Sequence, residues 1–139
     1  MNFSASVIRE QITSILSAWK MKPELIEITA EIMTDTDLAG IDSHGISMLT
    51  WYEGKVLNGT LQLQVDPRVI RDHAATALID AGGGLGHPAA AMAARMAADK
   101  AAVYGVGSLR SRGPSSGIAE ISGHAFWRRR LPESWCSKT

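Results

Sequence analysis

The sequence predicts an α+β chain, a helical unit followed by a mixed α/β segment, on three observations. Apolar residues recur at spacings of three and four through the first stretch of the chain. Short alternating or β-rich runs follow from residue 60, and an alanine-rich segment of high helix propensity lies between two of them. A length of 139 residues fits one ordinary domain and permits a real core. With 45% hydrophobic and 20% charged residues, the composition is that of a soluble globular protein.

The first helix is read from Val7, Ile8, Ile12, Ile15, Leu16 and Trp19, which share one face, with Ser4 as N-cap. The second opens at Pro23, a residue suited to a first turn, with Glu24 and Glu27 near the positive end of the helix dipole. A third is expected from near Asp42, carrying Met48, Leu49, Tyr52, Val56 and Leu57, and stopped by Asn58-Gly59.

The period changes after Gly59. Leu61, Leu63 and Val65 alternate with polar residues in TLQLQV, which reads as a strand ended by Asp66-Pro67. Val69-Ile70 would form a short continuation. ATALID (residues 75–80) reads as a further strand, AGGGLGH (81–87) as a turn, Pro88 to Tyr104 as a helix, and GVGSL (105–109) as the start of another strand. The expected organisation is a helical unit over residues 1–60, the beginning of an α/β domain over 61–109, and an irregular basic tail over 110–139.

The boundary at residue 110 coincides with a change in charge. Residues 1–109 hold eight basic and twelve acidic side chains; residues 110–139 hold six basic and two acidic ones. A basic tail containing WRRR can meet nucleic acid or an acidic surface, but no recognised nucleic-acid motif organises it, so a nucleic-acid partner is not expected. No apolar run reaches the roughly 18 residues of a membrane span, and the N-terminus lacks the layout of a signal peptide; a cytoplasmic protein without membrane contact is expected. The single Cys136 can form no internal disulfide or cysteine metal site. His73 and His87 lack partners at ligand spacing, so no metal is expected.

The chemistry concentrates at Asp42-Ser43-His44. Neighbouring side chains at a helix start diverge, so these three are not a nucleophilic triad. Two readings remain. Asp42 or Ser43 can cap a helix with His44 exposed in its first turn. Alternatively, His44 is a general acid/base, since imidazole side chains ordinarily give or take a proton near neutral pH, with Ser43 orienting it. The glycines of GGGLGH precede a helix as phosphate loops do, but fit neither G-x-G-x-x-G nor a Walker loop; a tight turn explains them. Met92 and Met96 read as core.

Three motifs in order, TDLAGIDSHGISMLTWYEGKVLNG, ALIDAGGGLG and DKAAVYGVGSL, resemble the N-terminal portion of the malate/L-lactate dehydrogenase family, the non-Rossmann NAD(P)-dependent oxidoreductases. The resemblance runs from about Val7 to Leu109 and implies that family's mixed α/β cofactor domain, here truncated. It implies hydride transfer between NAD or NADP and the 2-position of a small 2-hydroxy or 2-oxo acid, in a homodimer. By the same resemblance His44 transfers the proton, Ser43 belongs to its relay and Tyr52 borders the substrate. No cofactor-binding residue is assigned.

Two departures qualify it. The family usually places an arginine four residues after the histidine to hold the substrate carboxylate, and here that residue is Met48. Loss of such a charge-assisted bond costs on the order of 1.5–3 kcal/mol, roughly ten- to a hundred-fold in binding. After Leu109 the family's cofactor segment is replaced by RSRGPSSGIAEISGHAF. The break in composition, together with codons that permit Asn/Asp-Phe-Gly under EISGH in a shifted frame, points to a frameshift. The expectation is therefore weak or absent dehydrogenase activity. A non-enzymatic module pairing with a full-length paralogue or another protein is the alternative.

Overall fold

The computed structural model describes residues 3–113 and the backbone of residues 117–123. Three helices come first: α1 (Ala5–Ala18), α2 (Pro23–Leu38) and α3 (Met48–Leu57). The Ser4 hydroxyl accepts the Val7 N–H at 3.4 Å and caps α1, and Pro23 occupies the first turn of α2, where a missing N–H costs nothing. Arg9 on α1 meets Glu27 on α2 at 2.9 Å. Ile12, Leu16, Leu25, Ile26, Met33, Leu49 and Tyr52 bury their side chains in one cluster among these helices. Asn58 and Gly59, the latter at φ +71°, end α3.

Beyond α3 the chain forms β1 (Arg68–His73), β2 (Thr76–Asp80), α4 (Gly86–Tyr104), β3 (Gly107–Gly113) and β4 (Gly117–Gly123). The sheet order is β1-β2-β3-β4. The β1–β2 and β3–β4 pairs are antiparallel, whereas β2 and β3 run parallel because α4 carries the chain back between them. Ala89, Ala93 and Ala97, four apart on α4, pack on Ala77, Ile79 and Leu109, with Met92 and Met96 at the margin. The approach is close: a Cβ on Gly107 would overlap the Ala97 carbonyl.

Three expectations need correction. TLQLQV forms no strand. Leu61 and Leu63 are buried as their alternation implies, but they join the helical core, and Gln62 N–H bonds to the Gly83 carbonyl at 2.9 Å instead of entering a ladder. The strand lies just after it, at β1, and is longer than the Val69-Ile70 fragment. The third helix begins at Met48 and not near Asp42, because residues 41–47 form a series of turns.

The expected irregularity from residue 110 onward is also overturned for the described part. Residues 110–113 continue β3, and 117–123 pair with it along its whole length. In β3 the Leu109 and Ser111 side chains are buried and those of Arg110 and Arg112 exposed, an alternation carried by serine and arginine that a hydrophobic pattern misses. The WRRR run and Cys136 lie outside the described residues.

Candidate functional site

The turn between α2 and α3 presents the Ser43–His44 pair. Ser43 Oγ lies 2.8 Å from His44 Nδ1, and both residues are exposed. With Nδ1 engaged by a hydroxyl, the imidazole is oriented and its other nitrogen is left for proton transfer. The local backbone is set by a His44 N–H to Ile41 carbonyl bond of 3.0 Å, and the Ser47 hydroxyl donates to the Asp42 carbonyl.

Neither Asp42 nor Ser43 caps α3. The N-cap position is Ser47, whose side chain makes no capping bond, and the N–H of Ile46 is instead satisfied by the Asp37 carboxylate at 2.9 Å. Sequence reading missed Asp37 because its partner stands nine residues away. Gly45 carried the only signal: it is buried, and a Cβ there would overlap that carboxylate.

Tyr52 sits one turn into α3 and is only 5% exposed. Burial raises its pKa above the ordinary tyrosine value, so it stays a neutral phenol. Its ring meets His87 edge-on, with centroids 6.1 Å apart, and lies 5.5 Å from Trp51, over which Lys55 Nζ stands at 4.0 Å. His87, in the first turn of α4, has no partner at ligand spacing in the sequence; the fold brings it against Tyr52 and within electrostatic reach of His44. Its pKa is pushed down to about 4, first by burial and then by the His44 charge, so it is neutral at pH 7. Its Nδ1 is buried with no hydrogen-bond partner among the described residues.

Met48 opens α3 and packs, partly buried, against the helical core; its uncharged thioether cannot serve as the carboxylate-binding cation of the resemblance. The glycine turn before α4 does not cradle a nicotinamide dinucleotide. It is filled from within: a Cβ on Gly82 would overlap Val65, and one on Gly83 would crowd the Gln62 side chain at 3.1 Å. These glycines admit the 62–66 segment and not a phosphate. The described residues contain no cluster of three or more His, Cys, Asp or Glu side chains suited to a metal, and no helix long and apolar enough to cross a membrane.

Known proteins resemble this arrangement in sequence and in space. A family model described as malate/L-lactate dehydrogenase matches residues 3–118. The L-sulfolactate dehydrogenase of Methanocaldococcus jannaschii is 32% identical over 104 residues, covering 75% of this chain and 30% of that protein. The malate dehydrogenase of Pyrococcus horikoshii is 32% identical over 101 residues, covering 73% and 28%. Among solved structures, sulfolactate dehydrogenase from Methanocaldococcus jannaschii superposes with a TM-score of 0.75 at 30% identity, covering 81% of this chain and 31% of that one. Malate dehydrogenase from Entamoeba histolytica gives 0.74 at 28% identity, covering 81% and 31%. The chain thus spans about 30% of the length of these relatives. With the family's sequence pattern across most of its length and its fold in three dimensions, the chain belongs to the malate/L-lactate dehydrogenase family, as an N-terminal portion.

Proposed function

We propose that this chain supplies half of the active site of an NAD(P)-dependent dehydrogenase acting on a small 2-hydroxy or 2-oxo acid. His44 is the proton-transfer residue, Ser43 its relay partner and Tyr52 part of the substrate wall. The Ser43–His44 hydrogen bond of 2.8 Å, on an exposed turn, carries the reading. Reduction of a 2-oxo acid needs a proton delivered to the forming alkoxide, and an oriented imidazole with one nitrogen free provides it. Met48 stands where the carboxylate-binding cation is expected, so residues 1–139 by themselves are expected to turn over weakly or not at all. A homodimeric, cytoplasmic whole enzyme completes the proposal.

The test is a graft. Residues 36–52 replace the aligned segment of a full-length relative, and oxidation of that relative's 2-hydroxy acid is followed. We expect activity reduced roughly ten- to a hundred-fold for want of the cation at Met48, recovered by Met48→Arg and abolished by His44→Gln. A His44→Gln graft as active as its parent removes His44 from the chemistry.

A second reading, an interaction module pairing with a full-length family member, is favoured by the exposed apolar side chains Leu38 (68%), Leu57 (81%) and Val103 (74%). It predicts a stable complex with such a protein in size-exclusion chromatography.

A further inference from the structure

We infer that Asp37 is the positioning residue for His44, holding the imidazole through the backbone of the turn that carries it; the inference rests on the dehydrogenase reading above. Asp37 lies in the last turn of α2, the negative end of the helix dipole, where its carboxylate brings the helix no gain. Its Oδ2 instead accepts the Ile46 N–H at 2.9 Å, across the base of the loop. Gly45 sits directly against the carboxylate, and any Cβ there would displace it.

The other end of the loop is fixed as well. Gly40, at φ +76°, donates its N–H to the Asp37 carbonyl at 2.9 Å, and Ile41 donates to Thr36 at 3.1 Å, the paired bonds of a glycine-terminated helix. The chain therefore leaves α2 through a main-chain lock and returns to α3 through a side-chain lock, both centred on Asp37. Ser43 and His44 stand between them. The two residues are exposed and lie outside any helix or strand; between the locks their backbone is held by the His44 N–H bond to the Ile41 carbonyl and by the Ser47 hydroxyl on the Asp42 carbonyl.

The locks also divide the work. The Gly40 and Ile41 bonds go to the main-chain carbonyls of Asp37 and Thr36, which do not depend on the side chain at position 37. The Ile46 bond alone depends on the side chain, so substitution isolates it. The Asp37–Ile46 bond fixes where the loop ends, and with it the ring position that lets His44 Nδ1 meet Ser43 Oγ.

The experiment uses the chain as it stands, with histidine ring nitrogens labelled for NMR. Three variants are compared with the parent: Asp37→Ala removes the acceptor, Gly45→Ala leaves the carboxylate but displaces it, and Asp37→Asn keeps an acceptor oxygen. We expect the parent His44 ring to show one favoured tautomer and a slowly exchanging Ile46 amide. In Asp37→Ala and Gly45→Ala the Ile46 amide should exchange at least tenfold faster. The His44 ring nitrogens should move toward free-imidazole values, while the melt stays cooperative. Asp37→Asn should restore the parent pattern.

Unchanged His44 signals in both disrupting variants overturn the proposal, as does failure of Asp37→Asn to rescue. If Asp37→Ala and Gly45→Ala both unfold, Asp37 is a folding element and the proposal is likewise overturned. None of these readouts involves turnover. If the graft shows no role for His44 and yet its ring moves, the positioning stands and the dehydrogenase reading fails; the reverse outcome separates them the other way.

Discussion

The two cores of this chain are built from different material. Ile12, Leu16, Leu25, Met33, Leu49 and Tyr52 fill the helical cluster from three helices. Against the sheet, α4 presents Ala89, Ala93 and Ala97, and the only large side chains fully buried there among the described residues are Ile79 and Leu109. The helical region coheres by burying bulk, whereas the sheet region coheres by ladders of backbone bonds and one close-set helix. The candidate site stands on the first region and meets the second where His87 lies against Tyr52. An imidazole presented from the bulk-packed side has a firm base even in a chain spanning about 30% of its relatives.

The largest effect that tests this contrast is a cavity. Leu16, fully buried, should cost about 2–5 kcal/mol of stability when changed to alanine. Ala93→Gly, equally buried in the alanine seam, should cost closer to the ~1 kcal/mol of lost helix propensity. Urea unfolding of both variants measures it. Equal losses would mean that the cores do not differ in the way their side chains imply.

A smaller effect tests the joint between the regions. His87 carries a folded pKa of about 4 against an ordinary value near 6.5. Its folded form resists protonation, so the unfolded chain binds more protons between those values and stability falls with pH across that window. The full extent is on the order of 3 kcal/mol, absent above pH 6.5 and complete below pH 4. His87→Phe, which keeps an aromatic ring against Tyr52, should flatten this arm when urea midpoints are compared at pH 7, 6, 5 and 4. An unaltered pH profile in that variant would show that His87 is not the titrating group.

Much of this arrangement was legible in the sequence, and the failures share a cause. The α1 face, its Ser4 cap, Pro23, the β2 strand and α4 follow from local period and capping chemistry. The Ser43–His44 pair was likewise visible, as adjacent residues. Asp37, His87 and the fate of TLQLQV depend on partners brought together only by the fold: Ile46 across a loop, Tyr52 on another helix, Gly83 in a turn. Leu61 and Leu63 alternate as a strand would, yet alternation reports burial and not a ladder. In β3 the ladder exists, while the buried positions hold Gly107, Leu109 and Ser111, too little apolar surface for the pattern to register.

The smallest expected effect belongs to the sheet alone and sharpens the contrast at still lower pH. Asp80 closes β2, with Gly82 N–H bonding its carboxylate at 3.0 Å, Arg112 of β3 at 3.4 Å and Arg68 of β1 at 3.6 Å. The Gly82 bond, helped by Arg112 and Arg68 and opposed by partial burial, holds its pKa below the ordinary aspartate value. A depressed carboxylate pKa stabilises the fold above the unfolded value, and that stabilisation is lost as pH falls through the folded one. The His87 arm is therefore spent before the Asp80 arm begins. Asp80→Asn should leave the loss between pH 6.5 and 4 intact and remove only the loss below it, the mirror of His87→Phe. Arg112→Ala should do less than Asp80→Asn, since that arginine is 60% exposed and screened by salt while the Gly82 bond persists. An acid profile unchanged in Asp80→Asn would show that the three strands are held at this end by their ladders alone.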